Sequence, residues 1–212
     1  MINIQCFTFN PFQENTYLLI NENKQCFIID PGMYEPEETA ILISHIEKEG
    51  LQPLTIINTH AHIDHIFGLQ AMKDRYNIPF GLHEKDLPVL ENASVAAMMF
   101  GFEMQEPPKP DFFIKENEPI KLGDDTLEVR FTPGHSPGSV IFYYAPGNFA
   151  ICGDVLFAGS VGRTDLPGGS FPILYDSIKN QLFTLPGNTV VHPGHGPSTT
   201  IEEENTNNQF LK

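Results

Sequence analysis

The sequence predicts an α+β protein, and three observations carry that prediction. Short apolar, β-branched runs recur in two series, one on each side of the Pro-rich stretch Pro107-Pro108-Lys109-Pro110. Helical spacing of apolar residues appears between the runs, most clearly over residues 37–49. Many runs end in Gly, Pro, Asp or His, the composition of loops held at the edge of a sheet.

Residues 2–9 alternate loosely and read as a strand. Residues 16–20 and 25–29 are two more, joined by the polar turn Asn21-Glu22-Asn23-Lys24 into a hairpin. Asp30-Pro31-Gly32 ends the third strand; Pro and Gly explain a turn by themselves, and an aspartate supporting a metal site is the other reading. Residues 37–49 place Ala40, Ile41, Ile43 and Ile46 on one helical face and close at Gly50. A strand over 54–58 follows, then a helix to about Tyr76 and a short strand over 78–82. His45, inside the first helix, and His83, after the short strand, read as structural or surface histidines. Residues 86–106 are weakly periodic; they read as one or two short helices whose Met and Phe residues join the core and partly cover the site. Beyond the rigid Pro-rich connector, strands are expected over 112–115, 119–122, 126–132, 139–144 and 148–152, with turns at Gly123-Asp124-Asp125 and Pro146-Gly147.

A chain of 212 residues, 41% of them hydrophobic, can bury a substantial core, and a single domain over 1–212 is expected. The 12 basic against 27 acidic residues argue against a general electrostatic grip on nucleic acid or an anionic membrane. Cys6, Cys26 and Cys152 form no CxxC pair and are odd in number, which favours reduced thiols and a cytoplasmic setting. The N-terminus lacks a charged segment followed by an apolar one, and no apolar run approaches the ~18 residues of a membrane span.

The chemistry concentrates in Thr59-His60-Ala61-His62-Ile63-Asp64-His65, directly after the 54–58 strand. In extended backbone, residues two apart project to one side, so His60 and His62 can approach one ion together. The chain then turns, and Asp64 and His65 leave in another direction, toward a second ion. A helix cap is the bland reading of Asp64, but it leaves three clustered histidines unexplained. Imidazole and carboxylate suit zinc, iron, manganese or nickel. Three further strand ends supply His135 in Thr132-Pro133-Gly134-His135, Asp154 in Cys152-Gly153-Asp154, and His195 in His192-Pro193-Gly194-His195. Singly each is weak; together they complete seven donors, enough for two ions with one shared carboxylate.

That order, HxHxDH…H…D…H, resembles the metallo-β-lactamase superfamily, and the resemblance runs from Asp30-Pro31-Gly32 to His195. It implies a four-layer αββα sandwich with the metals at one edge between two sheets. It also implies that His60, His62 and His135 bind one divalent ion, that Asp64, His65 and His195 bind the other, and that Asp154 bridges them. Within the superfamily, Thr132 to Gly138, Gly153 to Phe157 and Gly162-Arg163-Thr164-Asp165 are most similar to the glyoxalase II-like hydrolases, the last stretch resembling their short bacterial members and the related persulfide dioxygenases. Full-length glyoxalase II enzymes carry a helical C-terminal domain with glutathione contacts, whereas 17 residues follow His195 here. Hydrolysis is therefore the firmer implication, glutathione specificity the weaker.

The expected reaction is hydrolysis of a thioester or related activated ester, of the hydroxyacylglutathione hydrolase kind, with two zinc ions (iron or manganese being the other candidates). A water between two dications ionises near neutral pH and serves as nucleophile. Asp64 is the candidate residue for orienting it. Arg163 is the candidate contact for an anionic, glutathione-derived substrate, or else a partner of Asp165. The alternative is a persulfide dioxygenase, which uses the same scaffold with one iron and consumes oxygen with glutathione persulfide. No nucleic-acid or membrane partner is expected.

Overall fold

Side chains alternate across an extended strand, and here that alternation distributes neighbouring apolar residues into different cores. The computed structural model describes residues 1–212. The first sheet contains β1 (Asn3–Phe9), β2 (Glu14–Ile20), β3 (Gln25–Ile29), β4 (Gln52–Ile57), β5 (Phe80–His83) and β6 (Phe112–Ile114), adjacent in that order. β1, β2 and β3 pair antiparallel, whereas β3 to β6 pair parallel. Parallel neighbours need crossovers. These contain α1 (Pro36–Glu49), α2 (Leu69–Tyr76), and the consecutive α3 (Leu87–Glu91) and α4 (Ala93–Met99). Pro36 starts α1 and Gly50 ends it in the left-handed conformation (φ 63°), as the spacing predicts.

The second sheet begins with β7 (Ile120–Leu122), β8 (Asp125–Phe131), β9 (Val140–Tyr144) and β10 (Phe149–Gly153), all antiparallel neighbours. A two-stranded ribbon, β11 (Leu156–Phe157) with β12 (Ser160–Val161), precedes α5 (Phe171–Ser177), which widens into a π-helical stretch, Ile178–Leu182. β13 (Val190–Pro193) returns parallel to β10, β14 (Thr199–Thr200) pairs with β13, and α6 (Ile201–Asn207) follows.

Three cores separate four layers. Leu18, Ile28 and Ile56 pack outward against Leu42 and Ile46 of α1 and Leu69 and Met72 of α2. Their chain neighbours Leu19, Ile29 and Ile57 point the other way, onto Val129, Phe142 and Ile151 of the second sheet. On the far side Ile141, Ala150, Cys152 and Val191 meet Leu174, Ile178 and Ile201 of the last helices. Central strands buried on both faces read as continuous apolar runs, which is why their sequence shows little alternation. The αββα order is the one the resemblance implies.

The expected strands are present, with ends shifted by a residue or two. α5, α6, the β11–β12 ribbon and β14 have no counterpart in the sequence reading; two-residue strands and a Pro-bearing seven-residue helix present too little periodicity. One expectation is corrected. Leu90, Ala93 and Ala97 do enter the core, but Val95, Met98, Met99 and Phe100 are exposed, because α4 lies on the surface and turns its alanines inward. His45 lies edge-on to Phe7, and the buried His83 stacks on Phe131, so both are structural. No helix is long and apolar enough to cross a membrane.

Candidate metal centre

β4 ends at Ile57, and the chain passes through buried Asn58, Thr59 and His60 into a single 3-10 turn, Ile63–His65. Asp64 sits inside that turn, ahead of α2, so it caps no helix. Asn58 Nδ2 donates to the His65 carbonyl at 2.8 Å, and Asn10 Nδ2 to the Asp64 carbonyl at 3.0 Å. The donor-bearing turn is thereby held from both sides. His135 follows β8, Asp154 follows β10 and His195 follows β13, so one edge of the sandwich gathers all seven residues.

They form two sets. The donor atoms of His60, His62 and His135 lie within 4.8 Å of one another, as do those of Asp64, His65 and His195. In the first set His135 Nε2 is 2.8 Å from His62 Nδ1 and 3.2 Å from His60 Nε2. Asp154 stands between the sets. Its Oδ2 is 3.5 Å from His135 Nε2 and 3.4 Å from His195 Nε2, while Oδ1 is 3.4 Å from His65 Nε2.

The outer nitrogens show which ring atoms are free to bind. His135 Nδ1 donates to the Arg163 carbonyl at 2.8 Å, and His195 Nδ1 to the Phe12 carbonyl at 3.0 Å. His65 Nδ1 donates to Asp30 Oδ2 at 3.1 Å, and His60 Nδ1 donates to the Thr59 hydroxyl at 3.0 Å. Each of these bonds places a proton on the outer nitrogen and points Nε2 inward, the arrangement of metal-ligating imidazole. Buried His65 Nε2 and Asp154 Oδ1 have no hydrogen-bond partner. Buried polar atoms left unpartnered are costly, and a cation among the seven donors satisfies both. Glycine makes the room: a Cβ on Gly194 would collide with Asp154 Oδ1, and one on Gly162 with the Asp154 carbonyl. The residues present therefore fit divalent metal.

Two carboxylates outside the seven hold them in place. Asp30, in the left-handed region (φ 50°), accepts from the Thr59 amide at 2.7 Å and its hydroxyl at 2.6 Å, besides His65. It is thus both the turn and the support that its sequence context left open. Asp86 accepts from the Ala61 amide at 2.7 Å, from the Ser136 hydroxyl at 2.5 Å and from the Gly138 amide at 2.6 Å, tying the loop of His60 and His62 to that of His135. Sequence reasoning missed Asp86; no motif surrounds it. The Arg163 side chain is exposed and pairs with Asp165 through two bonds of 2.8 and 2.7 Å.

The family model of the metallo-beta-lactamase superfamily matches residues 9–195. The chain belongs to this superfamily. It is 42% identical over 203 residues to the probable metallo-hydrolase YqgX of Bacillus subtilis, covering 95% of this chain and 93% of that one. It is 35% identical to the hydroxyacylglutathione hydrolase GloC of Haemophilus influenzae, covering 99% and 98%. Among solved structures it matches the B3 metallo-beta-lactamase BLEG-1 with a TM-score of 0.92 and 39% identity, over 99% of this chain and all (100%) of that one. It matches TTHA1623 in a di-iron-bound form with a TM-score of 0.88 and 42% identity, over 98% and 100%. The protein is a metallo-β-lactamase-fold, metal-dependent hydrolase.

Electrostatics divides this metallo-β-lactamase-type centre. Burial and the neighbouring His135 push His62 down to about 3, and burial with the adjacent imidazoles holds His60 well below its ordinary value. Burial opposes charge on His195 too, yet hydrogen bonds to Asp154 and Asp64 push it up to about 10. His65 is likewise raised, the Asp64 and Asp154 charges outweighing its burial.

Proposed function

We propose that residues 1–212 act as one catalytic domain that hydrolyses a thioester or related activated ester, of the hydroxyacylglutathione hydrolase kind. The observation that carries this reading is the position of Asp154, with oxygens 3.4–3.5 Å from donor nitrogens of both sets. In the proposal His60, His62 and His135 hold one divalent ion, Asp64, His65 and His195 hold a second, and Asp154 touches both. Zinc is the proposed metal; the donor set also suits iron and manganese. Two bound dications supply a water ionised near neutral pH and polarise the substrate carbonyl.

The chain's own residues supply geometry and charge. Asp64, whose side chain is 14% exposed, has its Oδ2 3.1 Å from His195 Nε2 and is placed to orient an attacking water. Arg163 contributes its carbonyl to His135, and its guanidinium can exchange Asp165 for an anionic group of the substrate. The three unpaired cysteines support a cytoplasmic setting. The relative GloC supports a glutathione-derived thiol half; the fold supports hydrolysis without naming the acyl half.

The test is hydrolysis of S-lactoylglutathione by metal-free protein reconstituted separately with zinc, iron and manganese. Turnover with at least one metal, lost in His62→Ala, is expected. Oxygen uptake with glutathione persulfide in the iron form, with no thioester cleavage in any form, would replace this reading by the dioxygenase.

A further inference from the structure

Glu14 opens β2, and its side chain is completely buried (0% exposed) in the wall behind the second donor set. One carboxyl oxygen, Oε2, lies 2.9 Å from the Thr16 hydroxyl. The other, Oε1, has no hydrogen-bond partner and lies 3.7 Å from His65 Nδ1. Asp30 Oδ2 is 3.1 Å from that same nitrogen, so the outer N–H of His65 faces two carboxyl groups. Burial of a carboxyl group with an unpartnered oxygen is unfavourable in a core. Apolar residues of similar size would fill the same space without that cost, so packing alone does not explain it.

The backbone of Glu14 reaches a second donor of the same set. It forms an isolated antiparallel bridge with His195, apart from the strand pairings of the two sheets. Around that bridge the Asn15 amide donates to the Gly194 carbonyl at 2.7 Å. The Asn15 side chain donates to the carbonyls of Pro193 (3.1 Å) and Gly196 (2.9 Å), and the Tyr17 hydroxyl to that of Pro193 (2.6 Å). The His195 loop is thereby clasped to the start of β2. Gly32 leaves the space for the carboxyl group: a Cβ there would collide with Glu14 Oε2 and crowd the Asp64 carbonyl.

We propose that Glu14 is a positioning residue for the Asp64, His65 and His195 set, holding the His65 ring with its side chain and the His195 loop with its backbone. This rests on the reading that the set binds an ion. Glu14 touches no reacting atom; it acts through the two imidazoles, and it leaves the His60, His62 and His135 set alone. Outer groups that orient ligating imidazoles are worth about 10–100-fold in metal affinity.

Metal-free wild type and Glu14→Gln are titrated with zinc in competition with a chromogenic chelator, which reads stoichiometry and both affinities without any turnover. Wild type is expected to take up two equivalents. Glu14→Gln keeps the volume and a partner for Thr16, and should bind the first equivalent normally and the second about 10–100-fold more weakly. Two wild-type affinities in the variant would overturn the proposal, and so would equal weakening of both, which marks a residue that only supports the fold. Should Glu14→Gln fail to melt cooperatively when metal-free, Glu14→Asp keeps a carboxyl group and withdraws it from His65. The same selective loss is then expected, and unchanged affinities overturn the proposal. A wild-type protein that takes up fewer than two equivalents would instead overturn the two-ion reading itself.

Discussion

The two halves of the metal centre use the same kind of imidazole and differ in what lies around it. Burial and mutual repulsion keep His60 and His62 neutral, and their set contains no carboxylate, Asp154 standing between the two sets. In the other half Asp64 and Asp154 face His65 and His195 directly and raise both, against burial. The supports differ as well. The Thr59 hydroxyl and the Arg163 carbonyl fix the first set's rings, whereas a carboxylate, Asp30, fixes His65. One half thus offers the free nitrogen lone pairs of His60 and His62, and the other is a network of imidazolium and carboxylate that a cation must displace. Burial decides the first, charge pairing the second.

The comparison breaks most visibly at the residue common to both halves. Asp154→Ala should reduce zinc stoichiometry to one and lower turnover by about 10³-fold or more, the equivalent of several kcal/mol of charge stabilisation. A variant that keeps two ions and full turnover would sink the shared-ligand assignment.

A more selective break is available at Asp86, which ties the amides of Ala61 and Gly138 and the Ser136 hydroxyl together on the first side only. Asp86→Ala should weaken zinc at the first set by about 10–100-fold and change the second much less. Zinc competition measures this, and equal loss at both sets would show that the halves are not separately supported.

The smallest effect sharpens the contrast through protons. Metal binding must displace protons from its ligands. At pH 7 His60, held well below its ordinary value, and His62, near 3, have none to give, whereas His65 and His195, the latter near 10, are protonated in the metal-free protein. Zinc should therefore release about two protons from His65 and His195 and almost none from His60 and His62, read by calorimetry in buffers of different ionisation enthalpy. The same shifts act on metal-free stability with opposite signs. His62, lowered from 6.5, stabilises the fold above that pH, and the contribution fades as pH falls toward about 3. His195, raised from 6.5, stabilises below that pH, and its contribution is lost as pH rises through about 10. Melting of chelator-treated protein should accordingly fall off on both sides of neutrality, and a profile flat on the alkaline side would contradict a protonated His195.

Residue type and local spacing made the donor set legible. His60 and His62 announce themselves because they stand two apart beyond a strand, and His135, Asp154 and His195 because each follows an apolar run at a Gly-bearing turn. The supports were not legible to the same degree. Asp30 could be read as a turn residue, and Glu14 and Asp86 are two among 27 acidic residues with nothing local to distinguish them. In the α4 region the Met and Phe residues suggested core, yet Met98 and Met99 are 69% and 81% exposed. Weak periodicity could not say which side of α4 would face the sheet.

The sequence by itself determined the chemistry on offer: seven oxygen and nitrogen donors at strand ends, in an order specific enough to carry the family and its four-layer fold. These properties belong to residue types and short-range spacing, and survive without coordinates. Tertiary structure decided the rest. It chose which nitrogen of each imidazole faces inward, and it paired His65 with Asp30, 35 residues away. It also joined Asp86 to Ser136 across 50 residues. Protonation, tautomer and support depend on burial and on charges within a few ångströms, and only the folded chain sets those distances.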